Sequence, residues 1–107
     1  MDTINQFSKI MAEIELDVRF LSGLNEDKAA RFKALLEQIV CEWADKDYIP
    51  KRLAELFLDF FPSLEASSFM YDDANRQIIL EFADQMTDLM RICVNAPNKT
   101  ECRNEES

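Results

Sequence analysis

Two pairs of carboxylates in this 107-residue chain have a spacing that could do chemistry: Glu42-Trp43-Ala44-Asp45 and Glu81-Phe82-Ala83-Asp84. Residues three apart on a helix share a face, so each pair could offer hard oxygen ligands, and two such helices could hold a magnesium ion between them. However, Trp43 and Phe82 fall on apolar seams, and carboxylates that bracket a seam residue read first as a solvated helix face.

The remaining chemical inventory is defined by what is missing. There is no histidine, which removes the commonest general base, every histidine-containing triad and the usual zinc and di-iron ligand sets. With Gly23 as the single glycine, no glycine-rich phosphate loop can form. Cys41, Cys93 and Cys102 are odd in number and lack the paired spacing of a structural zinc site. All-α nucleotide pyrophosphatases use Glu-x-x-Asp pairs in a bundle of similar size, but they add a Glu-x-x-Glu pair, and none occurs here. The sequence therefore predicts no catalytic, cofactor-binding or metal-binding residues and a non-enzymatic protein. A divalent-metal enzyme of pyrophosphatase type, using Glu42, Asp45, Glu81 and Asp84, is the alternative within the enzyme class.

The elements that would position any site are helical. One glycine and three prolines cannot supply the turns of an all-β domain, whereas Leu, Ala, Glu, Lys and Met are abundant. In the first segment Ile4, Phe7, Met11, Ile14, Val18 and Leu21 alternate at three and four, flanked by Ile10, Leu16 and Phe20. Thr3 and Gln6 form a candidate capping box, and Gly23 is the candidate left-handed terminator, with Leu24 making the hydrophobic contact beyond it. Asn25 then caps a second helix with the seam Ala29, Phe32, Leu36, Ile39 and Trp43, and the short turn predicts an antiparallel hairpin.

The third segment, Pro50–Phe61, is apolar almost all round: from Leu53 onward only Glu55 and Asp59 are charged, along one narrow line. Such a helix is either central in its domain or covered by a partner. Pro50 suits a helix start, and Pro62 is expected to end the helix. Residues 63–71 then read as a short turn and a link carrying Phe69, Met70 and Tyr71. Asp72 or Asp73 caps a fourth helix through Ile79, Phe82, Met86, Leu89 and Cys93. A β-hairpin turning at Asp73–Arg76 is the rival, but Ile78-Ile79-Leu80 does not alternate. The expected architecture is a single all-α domain over residues 1–95. It is a four-helix bundle of two amphipathic hairpins with a central apolar third helix, followed by a disordered polar tail, 96–107.

The net charge is −9, and residues 62–95 hold six acids against two bases. Such a field disfavours nucleic acid and anionic membrane and favours basic partners. No apolar run approaches the ~20 residues that span a bilayer, and no basic n-region opens the chain, which predicts a cytoplasmic protein with free thiols. Apolar residues make up 48% of the chain, more than one small core absorbs. The surplus predicts an interface at Phe57, Phe60, Phe61, Phe69, Met70 and Tyr71. Trp43 reads as core, and Tyr48, like Tyr71, as exposed contact. The functional expectation is an acidic interaction module that binds and regulates or neutralises a basic protein, in the manner of immunity proteins, antitoxins or chaperones. The chain is expected to form a homodimer as well, and a purely structural homodimer subunit is the alternative function.

Overall fold

The computed structural model describes residues 2–95, which form four α-helices: α1 (Thr3–Arg19), α2 (Glu26–Trp43), α3 (Lys51–Ser68) and α4 (Asp73–Val94). The expected tail, 96–107, lies outside the described residues. Among the described residues there is no strand, so the segment from Phe69 to Phe82 is turn and helix rather than a hairpin.

Each helix buries most of the stripe that its spacing predicts, but Leu21, expected on the α1 seam, lies beyond the helix and is 58% exposed, and Trp43, expected in the core, is half-buried. Phe7, Ile10, Met11, Ile14 and Val18 face inward from α1, and Phe32, Leu36, Ile39 and Val40 from α2. Leu53, Phe60 and Leu64 do so from α3, and Ile79, Phe82, Ala83, Met86, Met90 and Cys93 from α4. At the centre each helix contributes one phenylalanine. The Phe32 ring stacks on Phe7 at 4.6 Å and on Phe60 at 4.9 Å between centroids, and meets Phe82 at 5.8 Å. Phe60 and Phe82 meet edge to face at 6.0 Å.

The order round the bundle is α1, α2, α4, α3. α1 and α4 each pack on both α2 and α3, while the diagonal pairs α1 with α4 and α2 with α3 do not come together. Lys28 pairs with Asp17 at 2.8 Å and Gln38 reaches Thr3, so α1 and α2 run antiparallel. Arg52 donates to Ser8 Oγ at 2.9 Å, and near the far end Tyr71 donates to the Val18 carbonyl at 2.7 Å, so α1 and α3 run parallel. The bundle is thus two antiparallel hairpins laid side by side.

Several boundaries depart from the sequence reading. The N-cap of α1 is Asp2, whose carboxylate accepts from the Ile4 amide at 3.0 Å; Thr3 is already helical, so the Thr3–Gln6 box does not form. α1 ends before Gly23. Leu21, with φ 65°, takes the left-handed position, its amide donating to the Val18 carbonyl at 3.1 Å and the Ser22 amide to Asp17 at 2.8 Å. These are the two bonds of a Schellman motif, built on a leucine in place of the usual glycine. Gly23, at φ 81°, follows and donates its amide to the Tyr71 hydroxyl at 3.0 Å. Pro50 is the cap of α3 rather than its first helical residue, while Asn25 and Asp72 cap α2 and α4 as expected.

The largest correction concerns Pro62. α3 does not stop there but continues to Ser68. Proline removes the amide that would bond the Leu58 carbonyl and crowds that carbonyl, yet both Pro62 and Leu58 sit on the solvent side. The opposite side continues the line Leu53, Phe60, Leu64, Ser68, all fully buried, and that burial outweighs one lost hydrogen bond. The expected link shrinks accordingly to the few residues before Asp72.

Two outcomes follow for equilibrium unfolding in urea. Phe32→Ala removes the ring that touches the other three and should cost about 3–5 kcal/mol. Pro62→Ala restores the missing donor on an exposed face and should gain on the order of 1–3 kcal/mol, less whatever entropy proline takes from the unfolded chain.

Candidate protein-interaction face

The carboxylates picked out for chemistry are not assembled. Glu42, Asp45, Glu81 and Asp84 are all exposed. Phe82 lies beside Phe32, and Glu42 stands ten residues further along α2, roughly 15 Å away at the helical rise, so the two pairs cannot share an ion. Among the described residues no group of three or more Cys, Asp or Glu is placed to hold a metal. Glu81 instead accepts from Gln77 at 3.1 Å along its own helix.

One carboxylate has an unusual setting, at the α1–α3 seam. Glu15 is half-buried, its Oε2 is enclosed without a hydrogen-bond partner, and its pKa is raised above the usual glutamate value. Desolvation is the main cause and the nearby Asp59 charge adds to it, while Arg19 and Ser63 act the other way. The Cys93 thiol is pushed up to about 11 by burial alone and is an inert core group. A shallow depression of about 170 Å³ that Cys93 borders is lined also by Lys46, Asp47, Tyr48, Ile49, Val94 and Asn95.

The open surface that stands out is apolar and runs between α3 and α4. A trough of about 320 Å³ is lined by Ala54, Phe57 and Leu58 from α3 and by Thr87, Met90, Arg91 and Val94 from α4. Leu58 is 75% exposed and Val94 52%. α4 builds this flank at heptad spacing, because Leu80, Thr87 and Val94 lie seven apart on the side turned toward α3. The Thr87 hydroxyl oxygen is buried there with no partner. Further along the same flank a depression of about 450 Å³ is lined by Asp73, Arg76, Gln77, Leu80, Glu81 and Asp84. Arg76 closes that end by stacking over the Phe69 ring at 4.4 Å. α4 carries four carboxylates, Asp73, Glu81, Asp84 and Asp88, against Arg76 and Arg91, and Arg91 already leans on Asp88 at 3.5 Å. By contrast, the furrow between α1 and α2 mixes Lys9, Arg31, Glu13 and Gln6 with Ile10 and Leu35.

The residues expected at an interface are distributed unevenly. Phe60 is fully enclosed in the core of the single chain, and Phe57 and Phe61 are half-buried on the flank of α3. Phe69 and Met70 are exposed beyond the end of α3. Tyr71 is half-buried, with its hydroxyl bridging Val18 and Gly23, so it fixes backbone rather than offering a free contact. Trp43 is half-buried against the exposed Tyr48, ring centroids 5.9 Å apart. Leu58, Met90 and Val94 were missed as site residues. The signal for Leu58 was present, because at about 100° per residue it falls roughly 160° from Phe60, opposite the buried line.

No helix among the described residues is long and apolar enough to cross a membrane. Comparison of the chain with known protein families, with curated proteins and with solved structures finds no match.

The Glu15 environment gives a signed pH dependence. Because its folded pKa is raised, the native state holds more protons than the unfolded state across the window just above the ordinary glutamate value, and stability falls as pH rises through that window. Glu15→Gln should therefore be more stable than the parent at neutral pH. The difference should close as the medium is acidified until both states of the parent are protonated, as read from urea midpoints across a pH series.

Proposed function

We propose that this chain is a non-enzymatic interaction module that binds, and thereby regulates or neutralises, a basic protein by taking an amphipathic helix of that partner along the α3–α4 face. The observation that carries the reading is the trough at Leu58: an open, nearly all-apolar surface on a chain of net charge −9. Exposed apolar surface gathered in a groove between two helices is what the anchors of a third helix fill. The carboxylates of α4 beside it favour cationic side chains on the incoming polar face and speed encounter with them. The α4 row Leu80, Thr87 and Val94 rises through fourteen positions, roughly 21 Å, which matches about four turns of partner helix. The orphan Thr87 hydroxyl supplies one hydrogen-bonding point on an otherwise greasy floor. Cys41 and Cys93 carry free thiols, in keeping with work in a reducing compartment such as the cytoplasm.

A synthetic leucine–lysine amphipathic helix of about four turns, titrated calorimetrically, tests the reading. The parent should bind it with a Kd on the order of micromolar. Leu58→Glu should weaken binding at least ~10-fold although it adds negative charge, whereas Ile78→Glu on the outer side of α4 should not. Equal binding by the two variants would show mere charge attraction and remove the reading.

A further inference from the structure

The pole of the bundle where α1 and α3 both end carries a second apolar surface, separate from the trough. Phe20 and Leu21 close α1 and are 70% and 58% exposed; Phe69 and Met70 close α3 and are 66% and 56% exposed. The Tyr71 hydroxyl ties the two closures together, donating to Val18 and accepting from Gly23. Four large side chains from two separate elements are thus held out at one end by a shared hydrogen-bond anchor.

Leu21 adds an independent observation. It occupies the left-handed region at φ 65°, which a side chain makes costly and which glycine occupies freely. Its side chain gains little burial in return within the chain, being more than half exposed. Strain held at an exposed apolar residue marks a position whose side chain is used elsewhere.

We propose that this pole is a homodimer interface, with Phe20, Leu21, Phe69 and Met70 of one copy meeting the same residues of a second. The charges nearby favour a second copy over a foreign partner. Arg19, Lys28 and Arg76 stand on this end with Glu26, Asp27, Asp72 and Asp73, so both signs are present. A twofold axis apposes a patch to its own rotated image, and a rim of both signs can pair with itself where a rim of one sign would repel. The area sets the strength. Four such side chains offer on the order of 400–500 Å² per copy, which is the range of a weak, reversible interface rather than an obligate one.

Sedimentation equilibrium of the full chain from about 10 µM to about 1 mM tests the proposal. The mass should rise from one chain toward two across that range. Phe69→Asp, at an exposed position, should shift the midpoint upward at least ~10-fold. Leu21→Gly should do two opposite things: raise the melting temperature of the dilute monomer and weaken the dimer several-fold. Leu58→Glu should leave the dimer intact, which separates this surface from the trough. A mass of one chain throughout would overturn the proposal. So would a dimer that survives both pole substitutions, or one lost on Leu58→Glu.

Discussion

The structure depends on Phe32. Helices α2 and α3 are diagonal partners that do not pack on one another, as are α1 and α4. The bundle has no close helix–helix contact across its middle, and the space between diagonals must be filled by side chains long enough to meet. The stacked rings of Phe32 and Phe60 do this for one diagonal, while Phe7 and Phe82 reach the same cluster from the other two helices. Rings at these separations add attraction beyond the area they bury. They also set relative height, because a slip of one turn, about 5.4 Å, on any helix would take its ring out of the cluster. The persistence of α3 through Pro62 follows from this. Once Phe60 is placed, Leu64 and Ser68 fall on the same buried line, and ending the helix at the proline would leave that end of the core open.

The surfaces left outside are consequences of the same packing. A helix at the corner of a four-membered ring touches two neighbours and buries roughly the third to half of its circumference that faces them. α3 has apolar residues on more than that share, so Leu58 must lie outside once Leu53 and Phe60 are inside. Its exposure is not a failure of packing but a surplus that no rotation of the helix can hide. α4 supplies the opposite wall of the trough with Met90, from the row that brings Ala83 into the core, and with Val94, from the flanking row of Leu80 and Thr87.

How far this was legible in the sequence can be traced residue by residue. The alternation from Phe7 to Val18 and from Phe32 to Ile39 named the buried stripes correctly, because amphipathic periodicity encodes which face turns inward. The same periodicity does not encode which helix that face meets, so the diagonal arrangement and the Phe32–Phe60 stack were not readable. Gly23 drew the helix end toward itself on propensity alone, whereas the hydrogen bonds to Asp17 and Val18 place Leu21 in the left-handed position. Pro62 misled for the related reason that a local rule was weighed without the burial of Leu64. Among the interface candidates, choosing the bulkiest residues picked Phe60, which is core, and passed over Leu58. Size predicts the cost of exposure, but angular position decides who bears it.

The polar side of the molecule obeys a different constraint, and the contrast separates structure from function. Lys28 serves Asp17 and Glu13 on one flank of α1, while Glu15 on the other flank has only partial compensation and sits near Asp59. An acidic chain has too few cations to pair every carboxylate that packing draws toward a seam, so some desolvated acids are an expected by-product of composition. Leu21 cannot be accounted for in this way. Nothing in composition forces a leucine into a left-handed turn two residues from a glycine, and the Schellman bonds that hold it there involve only backbone. A side chain kept where glycine would be cheaper, and kept outside, is the observation on which the proposed contact at this pole rests.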